Sequence, residues 1–155
     1  MANFTAQDIK ALREETGAGM VDCKKALDAS DGDMAKARDW VKEKGLVRAE
    51  KKADRETREG YISSYVHATG KTAAMVEILC ETDFVARNDE FKEMAKNVAM
   101  QVVAMSPADV AELLEQDYIK DPGQDVNHYI KSISGKIGEK FVVNRFIRYE
   151  VGAVR

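Results

Sequence analysis

The residues of this chain that could do covalent chemistry are few, and their spacing gives them little to work with. Cys23 and Cys80 are the two cysteines, 57 positions apart, and His67 and His128 are the two histidines. That set assembles neither a cysteine-based zinc site nor a disulfide framework, and lone thiols fit a reducing compartment. Cys80 could meet His67 across a hairpin as a thiol–imidazole pair, but it falls on the apolar face of a strand, where thiols are inert packing groups. Gly70-Lys71-Thr72 has the ending of a phosphate-binding loop. The first glycine of such a loop would fall at Tyr65, however, and the segment leads into a strand rather than a helix N-terminus. Gly17-Ala18-Gly19 begins like a dinucleotide fingerprint, yet position 22 is Asp22 and no strand precedes it. The carboxylates mark charged helix faces without forming a general acid–base pair. These residues point away from an enzyme, a metal site or a bound cofactor, and toward binding.

Composition narrows the partners. Lys and Arg total 24 and Asp and Glu 27 among 155 residues, a net charge of −3. This gives no whole-chain case for nucleic acid or a membrane surface. The run Arg48, Lys51, Lys52, Arg55 and Arg58 is interleaved with Glu50, Asp54, Glu56 and Glu59. Its counterion release would be weak, and no aromatic is available for base stacking before Tyr61. No stretch approaches the roughly 20 apolar residues that cross a bilayer, and residues 1–10 lack the apolar centre of a targeting signal. With 45% hydrophobic and 33% charged residues, the chain reads as a cytoplasmic globular protein.

Three stretches must supply the scaffold. Residues 1–45 predict a small three-helix domain. Thr5 with Asp8 marks the first helix start, and Gly17 and Gly19 break that helix. Met20, Cys23 and Leu27 share one face of the second helix, and Asp33 caps a third that runs to Gly45. Residues 46–59 predict a charged helical connector, since Glu, Lys and Arg are good helix formers of alternating sign. Residues 60–155 predict an α+β core. In it, residues 61–68 and 72–81 form an antiparallel hairpin with Val76, Ile78 and Cys80 on one face. Asn88 caps a long helix with the stripe Phe91, Met94, Ala95, Val98, Val102 and Met105. Ser106-Pro107 starts another helix, Asp121-Pro122-Gly123 forms a turn, and Val126, Tyr129, Ile130, Ile133 and Ile137 line an amphipathic helix ending near Gly138. A strand over 141–151 closes an antiparallel sheet of at least three strands.

One segment resists a purely structural reading. Glu81-Thr82-Asp83-Phe84-Val85-Ala86-Arg87-Asn88 lies between the second strand and the long helix. Phe84 there is either an apolar anchor held out for a partner or a core residue, and spacing alone does not choose.

Three motifs carry a resemblance. Residues 16–27, from Thr16-Gly17-Ala18-Gly19-Met20-Val21 through Leu27, resemble the N-terminal signature of the bacterial translation elongation factor Ts family. Residues 82–88 are similar to its central motif, and Gly138-Glu139-Lys140-Phe141-Val142-Val143-Asn144-Arg145-Phe146 to its closing one. The resemblance implies a ubiquitin-associated-like three-helix N-domain before the core, and guanine-nucleotide exchange on the GTPase elongation factor Tu, without covalent chemistry. It implies that the N-domain docks on the GTPase through Met20 and Val21, with Val21 standing where the family pattern has Met. Thr82, Asp83, Phe84 and Val85 would be pushed toward the magnesium and phosphate environment. Short members pair their cores, so a homodimer through the core is implied as well. Where family members carry a longer helical insertion, only residues 106–112 intervene here. A ubiquitin-associated-like adaptor without exchange activity is the competing reading, and it leaves residues 82–85 without a purpose.

Overall fold

The computed structural model describes residues 3–153. Its first part is a helical layer of α1 (Ala6–Thr16), α2 (Met20–Ala29) and α3 (Met34–Glu50). Local chemistry sets their ends. The Thr5 hydroxyl accepts from the Asp8 N–H, while the Asp8 carboxylate accepts from the Thr5 N–H at 2.6 Å. This reciprocal cap leaves two helix-end donors satisfied and holds Asp8 below the usual carboxylate range. Gly17 ends α1 at φ +67°, a left-handed conformation that costs other residues roughly 1–2 kcal/mol. Asp33 caps α3 by accepting from the Ala35 and Lys36 N–H groups. Leu12, Cys23, Ala26, Leu27 and Ala37 close a small core, ringed by Phe4, Ile9, Trp40 and Val41.

The second part is α+β, as its pattern predicts. It runs β1 (Glu59–Val66), β2 (Thr72–Cys80), α4 (Asp83–Ala86), α5 (Asp89–Met105), α6 (Val110–Glu115), β3 (Asp117–Tyr118), β4 (Asp121–Asp125), α7 (Val126–Ile137) and β5 (Val142–Glu150). The main sheet is antiparallel in the order β1-β2-β5, with Ser63 opposite Val76 and Val76 opposite Phe146. Period-2 alternation sends Ala74, Val76, Ile78 and Cys80 inward, where they join Phe91, Met94, Ala95, Val98 and Val102 of α5 in one buried cluster. Asn88 caps α5 by accepting from the Glu90 and Phe91 N–H groups at 2.9 and 3.1 Å.

Four local expectations are corrected. The third helix does not stop at Gly45; it continues to Glu50, and residues 51–58 are turns and irregular backbone. Gly45 is instead a close-approach residue: a β-carbon on Gly135 of α7 would stand 2.7 Å from both the Cα and carbonyl carbon of Gly45. Ser106 is not a helix start. It ends α5 at φ 46°, so Asp109 caps α6 instead, accepting from the Glu112 N–H at 2.8 Å. Asp121-Pro122-Gly123 is not a turn but part of β4, which pairs with β3 in a second, two-stranded sheet. The buried Gln101 side chain holds that hairpin, donating to the Asp117 carbonyl and accepting from the Ile119 N–H, each at 3.0 Å. Met105 and Met20, each placed on an apolar stripe by spacing, are both 48% exposed at the ends of their helices.

Candidate functional site

Residues 82–85 form a projecting turn with one face tied down. Thr82 is the N-cap of the four-residue α4, its hydroxyl accepting from the Val85 N–H at 3.4 Å. The Thr82 carbonyl accepts from the Ala86 N–H at 3.1 Å and from the Cys80 thiol at 3.3 Å. Val85 and Ala86 pack on the buried cluster of the core. Phe84, between Asp83 and Val85, is 84% exposed. That resolves the ambiguity left by spacing: the ring is held out to solvent, while Val85 and Ala86 behind it are held in. Asp83 is also exposed, and its carboxylate lies 3.6 Å from the Arg87 guanidinium, a pairing of little strength at a solvated surface.

A second set of bonds crosses to this turn from the far end of the sequence. Glu139 follows the helix stop at Gly138, and one carboxylate oxygen accepts from both the Glu81 and Thr82 N–H groups at 3.0 Å. Its other oxygen accepts from the Thr82 hydroxyl at 2.7 Å. Glu81 returns the exchange, accepting from the Lys140 N–H at 2.8 Å and from Arg55 at 3.4 Å. The central and closing motifs are thus one bonded unit in space. Reading residues 82–85 from sequence leaves out Glu81, Glu139, Lys140 and Arg55, because contacts 26 to 59 positions apart leave no local periodicity. The available signal was that Glu81, Glu139 and Lys140 lie inside segments already singled out.

On the helical layer, Val21 is 66% exposed and Met20 half exposed, at the start of α2 and directly after Gly19. The turn that precedes them is near the core. A cleft of about 470 Å³ is lined by Gly17, Gly19, Asp22 and Arg48 from the helical layer and by Glu90 and Lys136 from the core. Lys136 lies across Gly17 and pairs with Glu90 in the first turn of α5 at 2.6 Å. The entry to α2 and the junction of α4 with α5 are therefore linked through one lysine.

The thiol–imidazole pair does not form. Glu59 is opposite Cys80 in the hairpin register, whereas the His67 N–H bonds Thr72 at the other end. Cys80 is fully buried, and burial pushes its thiol up to about 11, so it stays protonated. Burial raises Cys23 likewise. Among the described residues, no helix is long and apolar enough to cross a membrane.

Residues 81–155, which contain both halves of the Glu81–Glu139 unit, match the family model described as Elongation factor TS. Elongation factor Ts of Nitratidesulfovibrio vulgaris is 42% identical over 97% of this chain and 98% of its own. The protein of the same name from Oleidesulfovibrio alaskensis is 41% identical over 99% of this chain and 100% of its own. The chain belongs to the elongation factor Ts family. A third relative, elongation factor Ts of Synechococcus sp., is 40% identical over 98% of this chain and 91% of its own. These alignments run over 195 and 198 positions against 155 residues, so at least 40 positions of these elongation factor Ts relatives face no residue here. Residues 106–109 connect α5 to α6 within the 106–112 stretch expected to be short.

Proposed function

We propose that this chain promotes GDP release from elongation factor Tu, docking through its helical layer and pressing the 82–85 turn against the magnesium and phosphate environment of the GTPase. The observation that carries this reading is Phe84, a large apolar ring 84% exposed on a turn that Thr82, Val85 and Ala86 anchor. An exposed aromatic on a fixed scaffold loses little entropy on docking, which is what an interface anchor needs. In this reading Thr82 and Val85 shape the turn, Asp83 and Phe84 meet the partner, and Met20 and Val21 supply the N-domain contact. Residues 1–45 are the docking domain, 46–59 the connector and 60–155 the core that presents the turn. The site is cytoplasmic, with neither nucleic acid nor membrane as a direct partner.

No bond is made or broken in such a role. The chain must bind nucleotide-free partner more tightly than GDP-loaded partner, and linkage makes the antagonism mutual. A nucleotide held at nanomolar affinity represents about −12 kcal/mol, yet each tenfold gain in release rate needs the barrier lowered by only about 1.4 kcal/mol. The test is a pair of dissociation constants for this chain, one with nucleotide-free and one with GDP-loaded elongation factor Tu. Tighter binding to the nucleotide-free form supports the reading. Equal affinities would leave no coupling to drive exchange and would sink it.

The open face of the main sheet supports a second copy of the chain as a further partner. Ile62, Val66, Met75 and Ile147 lie there, exposed and apolar, with the Glu77–Arg145 pair beside them at 3.2 Å. An apolar face carrying its own opposite charges is suited to a two-fold, self-complementary contact.

A further inference from the structure

Building on that reading, we infer that Glu139 is a positioning residue for exchange: it fixes the direction in which the 82–85 turn presents Phe84, so the closing motif acts through the central one. α4 has four residues, too few to hold a helical turn by itself. The junction that aims it, Glu81-Thr82, has two backbone donors beyond the end of β2, and both are taken by a single Glu139 oxygen. The second oxygen takes the Thr82 hydroxyl, the same group that caps α4. Charge-assisted acceptors of this kind are the stronger class of hydrogen bond. Glu139 is itself anchored, since its carbonyl accepts from the Ser134 hydroxyl of α7 and its neighbour Lys140 is held by Glu81. The bonds of the Glu139 carboxylate run to Glu81 and Thr82, so its effect reaches Phe84 through Thr82. Without the carboxylate the turn remains tethered by β2 and α5 but samples several directions. The productive fraction, and with it the maximal exchange rate, falls in proportion.

The test uses the full chain and labelled GDP on elongation factor Tu, with the factor titrated to saturation. Glu139→Ala is expected to lower the maximal rate about tenfold, the smaller end of what a hydrogen bond to a charged group contributes. The half-saturating concentration should move far less, because the N-domain surface is untouched. Glu139→Gln keeps an oxygen for the two N–H groups and an amide for the Thr82 hydroxyl oxygen, so it should restore the rate to within about twofold of wild type. Glu139→Asp, shorter by one methylene, should behave like the alanine variant, and it carries the test if that variant does not fold. In a double-mutant cycle, Glu139→Ala should slow exchange little further once Phe84→Ala is present, since both act on one element. A maximal rate unchanged in the folded alanine or aspartate variant, or losses that simply add to those of Phe84→Ala, would overturn the role of Glu139. A wild-type chain that does not accelerate release at all would instead overturn the exchange reading on which it rests.

Discussion

Replacing Phe84 by alanine should separate binding from folding. The ring is 84% exposed and outside the buried cluster, so its loss removes almost no packing from the folded chain. A surface change of this kind shifts stability by at most about 0.5 kcal/mol, which for a 155-residue chain moves Tm by no more than about 2 °C. Docking is another matter. Burying a Phe side chain contributes roughly 1.5–3 kcal/mol, and aromatic anchors at interface centres cost about 2 kcal/mol or more when truncated. A loss of about 2 kcal/mol from the exchange transition state slows GDP release about 30-fold. The assay is stopped-flow release of fluorescent GDP from elongation factor Tu across a titration of the variant, beside a thermal melt. Unchanged release with an unchanged melt would refute Phe84 as the anchor. A large drop in Tm would instead mean that the ring supports the fold, contrary to its exposure.

Gly135→Ala places a methyl against the Gly45 backbone, which cannot turn aside as a side chain could. An overpacking cost of about 2 kcal/mol would lower Tm by about 4–8 °C, while the control Gly123→Ala, facing only the Asp121 carboxylate at 3.3 Å, should leave it nearly unchanged. Cys23 and Cys80 should resist alkylation at pH 8 in the native chain and react together once it is denatured, because both are buried with raised pKa values. Cys80 binds its proton more tightly folded than unfolded. Its contribution to stability is therefore complete below about pH 9 and is lost as pH rises toward about 11, and alkaline melts should show that decline. If the open sheet face pairs two chains, Met75→Glu should shift sedimentation from dimer to monomer; a wild-type chain that sediments as a monomer at high concentration would remove the dimer from the account.

Much of the scaffold was legible because the signals were local. Thr5, Asp33 and Asn88 cap helices where a side-chain oxygen meets the N–H two or three residues on, and Val76, Ile78 and Cys80 alternate into the core as a strand requires. What escaped was set by distant neighbours. Gly45 looks like a helix stop by propensity, yet α3 continues through it and packs its backbone there against α7, where Gly135 has no room for a side chain. Ser106 has the chemistry of a helix start but ends the preceding helix, and Asp109 does the capping. The β3–β4 hairpin depends on Gln101, contributed by α5, and no pattern within residues 117–125 announces it. The site divides in the same way. The motif around Phe84 was visible, its exposure was not, and the Glu139 bonds that hold it became visible only when the chain was folded.

The central claim is that residues 82–85 open the nucleotide site of a GTPase, and the rate of GDP release tests it most directly. Elongation factor Tu carrying labelled GDP is mixed with excess unlabelled GDP and increasing amounts of this chain, in the presence of magnesium. The release rate should rise with chain concentration and saturate well above the intrinsic rate. Release that stays at the intrinsic rate at every concentration would contradict the claim.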